Sequence, residues 1–131
     1  MTKGVHVSGS RKKAIARATL IDGKGIVRIN GQLLDHFCNE HARMRIHEPL
    51  MLAGDFSKKV NISVRVHGGG WSAQTDAVRM AIARSLAESN PSLKSSFLDY
   101  DRHLLVQDSR ANERSKPNDS KPRAKRTKSY R

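Results

Sequence analysis

Residues 60–86, VNISVRVHGGGWSAQTDAVRMAIARSL, carry the pattern from which the fold follows. Val60, Ile62, Val64 and Val66 alternate with Asn61, Ser63, Arg65 and His67. That period of two is a strand with one face on a core and the other wet or against a polar partner. Gly68, Gly69 and Gly70 then turn the chain into a helix, for which Ser72 is the predicted N-cap. Ala77, Val78, Ala81, Ile82, Ser85 and Leu86 recur at intervals of three and four, an apolar stripe suited to lie across a sheet. Asp76 and Arg79 fall one turn apart on a more polar side, an expected pair worth roughly a few tenths of a kcal/mol.

Toward the N-terminus, Val5 and Val7 open a short strand, and Ala14, Ala16, Ala18 and Leu20 place small apolar side chains on one face of a second. Asp22–Gly25 is a turn signal before Ile26–Ile29, so residues 14–29 are predicted to be a β-hairpin. In NEHARMRIHEPLMLAGD, apolar residues recur at helical intervals, but Pro49 is expected to end or kink a helix near Glu48, giving one or two short helices. Beyond Asn90 and Pro91, a short helix is predicted to add Leu93, Phe97 and Leu98 to the core. Leu104, Leu105 and Val106 form the last apolar cluster, so the globular body is expected to span residues 1–107 and an extended tail residues 108–131.

That tail is the most polar part of the chain. From Arg110 to Arg131 it holds nine Lys or Arg against Glu113 and Asp119, about half of the formal net charge of +13. Ordering such a segment costs about 1–2 kcal/mol per residue with almost no apolar area to bury, so it is expected to be disordered when unassembled. A dense anionic partner supplies the missing free energy through phosphate contacts and counterion release, which makes nucleic acid the leading partner class. The run Arg11, Lys12, Lys13, Arg17 repeats the signal with four cations and no acid.

Other chemistries find little support. Cys38 is the single cysteine, which excludes an intrachain disulfide or a cysteine-based zinc cluster, and it is expected to be a small, partly buried thiol. Six scattered histidines complete no metal site, and Asp99 and Asp101 are an ordinary i,i+2 pair without a convergent proton partner. No stretch approaches the length of an apolar membrane span and the start lacks a signal-peptide core, so a cytoplasmic protein is expected. No enzyme activity, cofactor, metal or homo-oligomer is expected. The glycine run lacks the lysine and hydroxyl of a phosphate-binding loop and the spacing of a dinucleotide fingerprint. It is therefore either a backbone contact with nucleic-acid phosphate or a purely structural turn.

Four motifs in order, GSRKKAIARATL, GKGIVRING, GGGWSAQTDAVRMAIARSL and a terminal KSYR, give the chain a specific resemblance to the family of the ninth small-subunit ribosomal protein, in its archaeal or eukaryotic form. The resemblance implies an α+β domain in which a four-stranded sheet is covered by helices, like the second domain of the fifth small-subunit protein, with an extended basic C-terminal tail. It implies residence in the subunit head among neighbouring head proteins, on the 3′ major domain of the rRNA.

Carried over by position, rRNA contacts are expected from Arg11, Lys12, Lys13 and Arg17, and from Gly68, Gly69, Gly70, Ser72 and Gln74. Arg79 and Arg84 would lie near RNA or support the sheet. Along the tail, Arg110, Arg114, Lys116, Lys121, Arg123, Lys125 and Arg126 would contact rRNA, and Lys128, Ser129, Tyr130 and Arg131 would approach the peptidyl-site tRNA.

The chain departs from the family pattern at the root of the tail. Where the family usually reads Thr-Arg-Asp-Pro-Arg it has Val106, Gln107, Asp108, Ser109 and Arg110. Ser109 thus lacks proline's φ restriction, and Gln107 lacks an arginine's charge. The family also often has Gly near Asn118 and Gln at the position of Thr127. Two readings compete with a ribosomal one. A non-ribosomal nucleic-acid chaperone or compacting protein would share the charge but leave the ordered motifs unexplained. A small-metabolite kinase would use the glycine loop but lacks a matching lysine and carboxylate arrangement.

Overall fold

The strand that begins at residue 60 lies in the middle of a five-stranded mixed sheet. The computed structural model describes residues 4–124 and 130–131. Its strands are β1 (Val5–Arg11), β2 (Ala14–Asp22), β3 (Val27–Ile29), β4 (Gln32–Leu33) and β5 (Val60–His67), in spatial order β1-β2-β5-β3-β4. The fold is α+β as expected, with one strand more than the four anticipated. The extra strand is the two-residue β4, too short to leave an alternation in the sequence.

The hairpin expected over residues 14–29 does not form. β2 pairs instead with β1, in a register running from Val5 opposite Leu20 to Arg11 opposite Ala14, which leaves Lys12-Lys13 as a two-residue turn. β5 is inserted between β2 and β3, antiparallel to the first and parallel to the second. The Asp22–Gly25 signal marks a real bend, but a wide one that wraps around the start of β5. Gly23 N–H donates to the Lys59 carbonyl at 2.9 Å and Gly25 N–H to that of Val60 at 3.1 Å. The Asn61 side chain accepts from Lys24 N–H at 2.9 Å and Ile26 N–H at 3.0 Å. At the far end, the Asn30 side chain donates to the Val66 carbonyl at 3.1 Å and accepts from Val66 N–H at 2.9 Å, extending the ladder past β3. Insertion lets an apolar strand satisfy its backbone on both edges, which a simple 14–29 hairpin would not provide.

One face of the sheet is buried and the other is bare. Ala14, Ala16, Ala18, Leu20, Val27, Ile29, Val60, Ile62, Val64 and Val66 form the inner face. They pack beneath the helices α1 (Glu40–Ala53) and α2 (Trp71–Ser89). The small residues bring α2 close: a Cβ on Gly9 would stand 2.6 Å from the Ala77 carbonyl oxygen and 2.7 Å from Ala81 N. All six residues of the stripe on α2 are buried, as its periodicity requires.

Several local expectations are corrected. α1 is capped by Asn39, whose side chain accepts from Ala42 N–H at 2.9 Å, and it runs through Pro49 to Ala53 without ending at Glu48. The Pro49 ring is fully buried, and that burial offsets the hydrogen bond its missing N–H forfeits. α2 begins at Trp71 with Gly70 as its N-cap, so Ser72 lies inside the first turn and caps nothing. In the short helix α3 (Leu93–Tyr100), Phe97 is buried but Leu98 is exposed, because only one side of so short a helix meets the body. Cys38 is exposed, in a left-handed bend (φ 47°) ahead of the α1 cap.

Candidate nucleic-acid interface

The β1–β2 turn, the glycine run and the first residues of the tail converge at one end of the sheet. Lys12, Lys13, Gly69, Gly70, Ala73, Arg110, Ala111 and Asn112 line a single groove there. Both turn lysines are exposed. Lys12 adopts φ 53°, a left-handed conformation that glycine or asparagine would take at less cost, so the position sacrifices turn propensity for a cation. The first backbone N–H groups of α2 open beside the same groove, adding the positive end of a 19-residue helix.

The three glycines divide between the two readings left open by the sequence. Gly68 has φ 77°, and a Cβ there would lie 2.4 Å from the Lys13 carbonyl oxygen; Gly69 has φ 64°, and a Cβ there would stand 3.2 Å from that of Ala14 and 3.3 Å from that of Ala73. These two are required by the turn itself. Gly70 has an ordinary negative φ of −96° and nothing within 4 Å of where a Cβ would stand. The fold makes no demand on Gly70, and its bare backbone faces open space at the lip of the groove. Gln74 serves the loop, donating from Nε2 to the Gly68 carbonyl at 3.1 Å.

Three other cations expected at the interface, Arg79, Arg11 and Arg84, act inside the protein. Arg79 is 8% exposed and is held by Asp101 at 3.0 Å and by a close contact to Glu48. Its expected partner, Asp76, instead meets Arg45 at 3.1 Å and Arg11 at 3.8 Å. Arg11 also closes on Asp108, so it fastens the root of the tail to β1. Arg84 donates to the Leu105 carbonyl at 2.9 Å and to that of Ser8 at 2.7 Å, tying the same segment to the sheet; this is the supporting role of the two expected for it.

Two carboxylates in this cluster are tuned by their surroundings. Burial opposes ionisation of Asp101, but the His103 N–H and the Arg79 guanidinium outweigh it and hold the carboxyl below its ordinary value. Arg110 donates to Asp108 from its guanidinium and its backbone N–H, which holds that carboxyl far below the usual carboxylate range.

Arg17 lies elsewhere, exposed on the open face of the sheet, directly opposite Arg65 on β5. The run 11–17 thus splits three ways: Arg11 inward, Lys12 and Lys13 at the groove, Arg17 on the sheet. Ser72, Arg114, Lys116 and Lys121 are exposed. Arg123 is engaged with Glu113 at 2.9 Å, within the tail. Asn118 takes φ 65°, a left-handed conformation that asparagine tolerates better than most residues other than glycine. Tyr130 and Arg131 are exposed, whereas Lys125, Arg126, Lys128 and Ser129 lie outside the described residues. Among the described residues, no cluster of His, Cys, Asp or Glu is placed to hold a metal, and no helix is long and apolar enough to cross a membrane.

The sequence reading omitted Asn112 and Arg65. Asn112 gives no signal, since only the folded path of the tail brings it beside Gly70. Arg65 was legible: the alternation of β5 puts it on the outward face.

A family model described as ribosomal protein S9/S16 matches residues 9–131. The small ribosomal subunit protein uS9 of Methanococcus maripaludis is 44% identical over 133 residues, covering 98% of this chain and 99% of that protein. The uS9 of Methanococcus vannielii matches to the same extent.

Proposed function

The chain belongs to the ribosomal protein S9/S16 family, and from that premise we propose how it works as a structural constituent of the small ribosomal subunit rather than as an enzyme. In the cytoplasm, its globular body, residues 1–107, binds rRNA of the subunit head, in the 3′ major domain, beside neighbouring head proteins. Residues 108–131 form a basic tail whose root is held at Asp108 by Arg11 and whose remainder orders only on assembly. The tail runs through rRNA toward the peptidyl-site tRNA, which Lys128, Ser129, Tyr130 and Arg131 approach.

The observation that carries this reading is the shared groove of Lys12, Lys13, Gly70 and Arg110, where cations, bare backbone and a helix N-terminus meet at the root of the tail. Each suits a phosphate oxygen, and together they read backbone shape rather than base sequence. Arg11 and Arg84 set the direction in which the tail leaves, so the body and the tail address one continuous RNA surface.

The test is a photocrosslinker at position 130 in the full chain, assembled into small subunits and programmed with tRNA. Crosslinks to peptidyl-site tRNA are expected, as is loss of rRNA protection in a Lys12→Gln/Lys13→Gln variant. A chain that stays off the small subunit in gentle salt overturns the assignment; subunits whose position 130 crosslinks only to rRNA overturn the tRNA contact alone.

A further inference from the structure

We infer that the open face of the sheet is a second RNA-binding surface, separate from the groove, that takes a sugar-phosphate backbone across Arg17, Arg65 and Arg28. The inference rests on the ribosomal reading above and extends it to a face that the groove does not reach.

The register brings the surface together. Arg17 stands directly opposite Arg65, and one pair further along, Thr19 is opposite Ser63, which is itself opposite Arg28. Like charges facing each other across adjacent strands are destabilising unless a counter-charge joins them. Their own chain does not provide one: among the described residues, none of these three arginines has a carboxylate within ion-pair distance. The one acid on β2, Asp22, falls in register with Val60, on the opposite side of the sheet. By contrast, the helix side places carboxylates against Arg11, Arg45 and Arg79. Among the described residues, the acids are thus brought to arginines on the helix side and to none of the three on the open face.

The rest of the face specifies the occupant. Two shallow depressions share Thr19 and Ser63, one bordered by Arg17 and Arg65 and the other by Arg28, so they form one continuous trough. Hydroxyls between guanidinium groups offer donors and acceptors for phosphate and ribose 2′-OH groups. No Phe, Tyr or Trp occupies this face of the strands, so it is not a platform for stacking bases. Exposed Ile21 and Ile26 border only the Arg28 depression, so the stretch of Arg17, Thr19, Ser63 and Arg65 is the part best suited to backbone recognition of structured RNA.

The experiment uses the full chain with a transcript of the 3′ major domain of small-subunit rRNA. Affinity is measured across a salt series, together with hydroxyl-radical footprints. Arg17→Gln/Arg28→Gln/Arg65→Gln is expected to reduce the magnitude of the log K against log salt slope by about 2. It should also erase protection from a stretch of RNA distinct from that lost in Lys12→Gln/Lys13→Gln. Thermal unfolding should be unchanged or raised, because the like-charge pair is gone. Arg65→Gln alone, with a slope change of about 0.7 to 0.9, makes the same test in a chain that keeps two arginines.

A wild-type slope and footprint in both sheet variants overturns the inference, while the loss seen in the turn variant keeps the ribosomal reading. Crosslinks from position 65 to a head protein instead of RNA in assembled subunits also overturn it. A wild-type chain that leaves no footprint overturns both readings.

Discussion

Arg65 and Arg79 are 14 positions apart, on the strand and the helix that flank the glycine turn, and they have opposite fates. Arg65 is exposed beside another arginine; Arg79 is buried between Glu48 of α1 and Asp101, just past α3. Nothing in the local sequence separates them. The difference is made by segments 22 or more residues away, which bring carboxylates to Arg79 on the helix side and, among the described residues, none within ion-pair distance of Arg65. In a chain this basic, a cation's role is decided by whether the fold delivers an acid to it.

The sharpest way to break this contrast is to truncate both arginines. Arg79→Ala leaves two carboxylates without their buried partner and is expected to cost about 3–5 kcal/mol in urea unfolding. Arg65→Ala is expected to stay within about 0.5 kcal/mol of wild type. Equal losses would remove the distinction between the two faces.

The glycines permit a second, smaller comparison. Gly68→Ala forces a left-handed alanine against the Lys13 carbonyl and is expected to destabilise the fold by about 2–4 kcal/mol. Gly70→Ala has space and an ordinary φ, so unfolding should shift by less than about 0.5 kcal/mol. RNA protection around the groove should nevertheless weaken. Wild-type protection by Gly70→Ala would show that all three glycines serve the turn alone.

The smallest effect sharpens the contrast between turn and charge. Lys12→Gly relieves the left-handed lysine and is expected to stabilise the chain by up to about 1 kcal/mol. It should also lower the magnitude of the RNA-binding salt slope by about 0.7 to 0.9. A loss of stability would mean that the lysine side chain supports the turn.

Much of this was legible in the sequence. The alternation of β2 and β5 and the stripe of α2 identified the inner face, because burial on a regular element leaves a periodic trace. The groove was legible as components, two lysines, three glycines and a basic tail, but Gly70 was not distinguishable from its neighbours. That distinction depends on what lies within contact distance of each Cβ. The β1–β2 hairpin was misread because Lys12-Lys13 carries no turn chemistry, whereas Asp22–Gly25 does and yet spans an inserted strand. Pro49 misled for a related reason: its helix-breaking cost is local, and the burial that offsets it is not.

By itself, then, the sequence determined the inner face of β2, β5 and α2 and the family to which the chain belongs. The inner face follows from short-range periodicity, a property of neighbouring residues, and the family from the resemblance of four motifs in order. Only the tertiary structure decided that β5 separates β2 from β3, that Arg11, Arg79 and Arg84 serve the protein itself, and that Arg17 and Arg65, outward by alternation, stand directly opposite each other with no acid beside them among the described residues. Strand order and charge pairing are set by contacts between distant segments, and no local pattern records them.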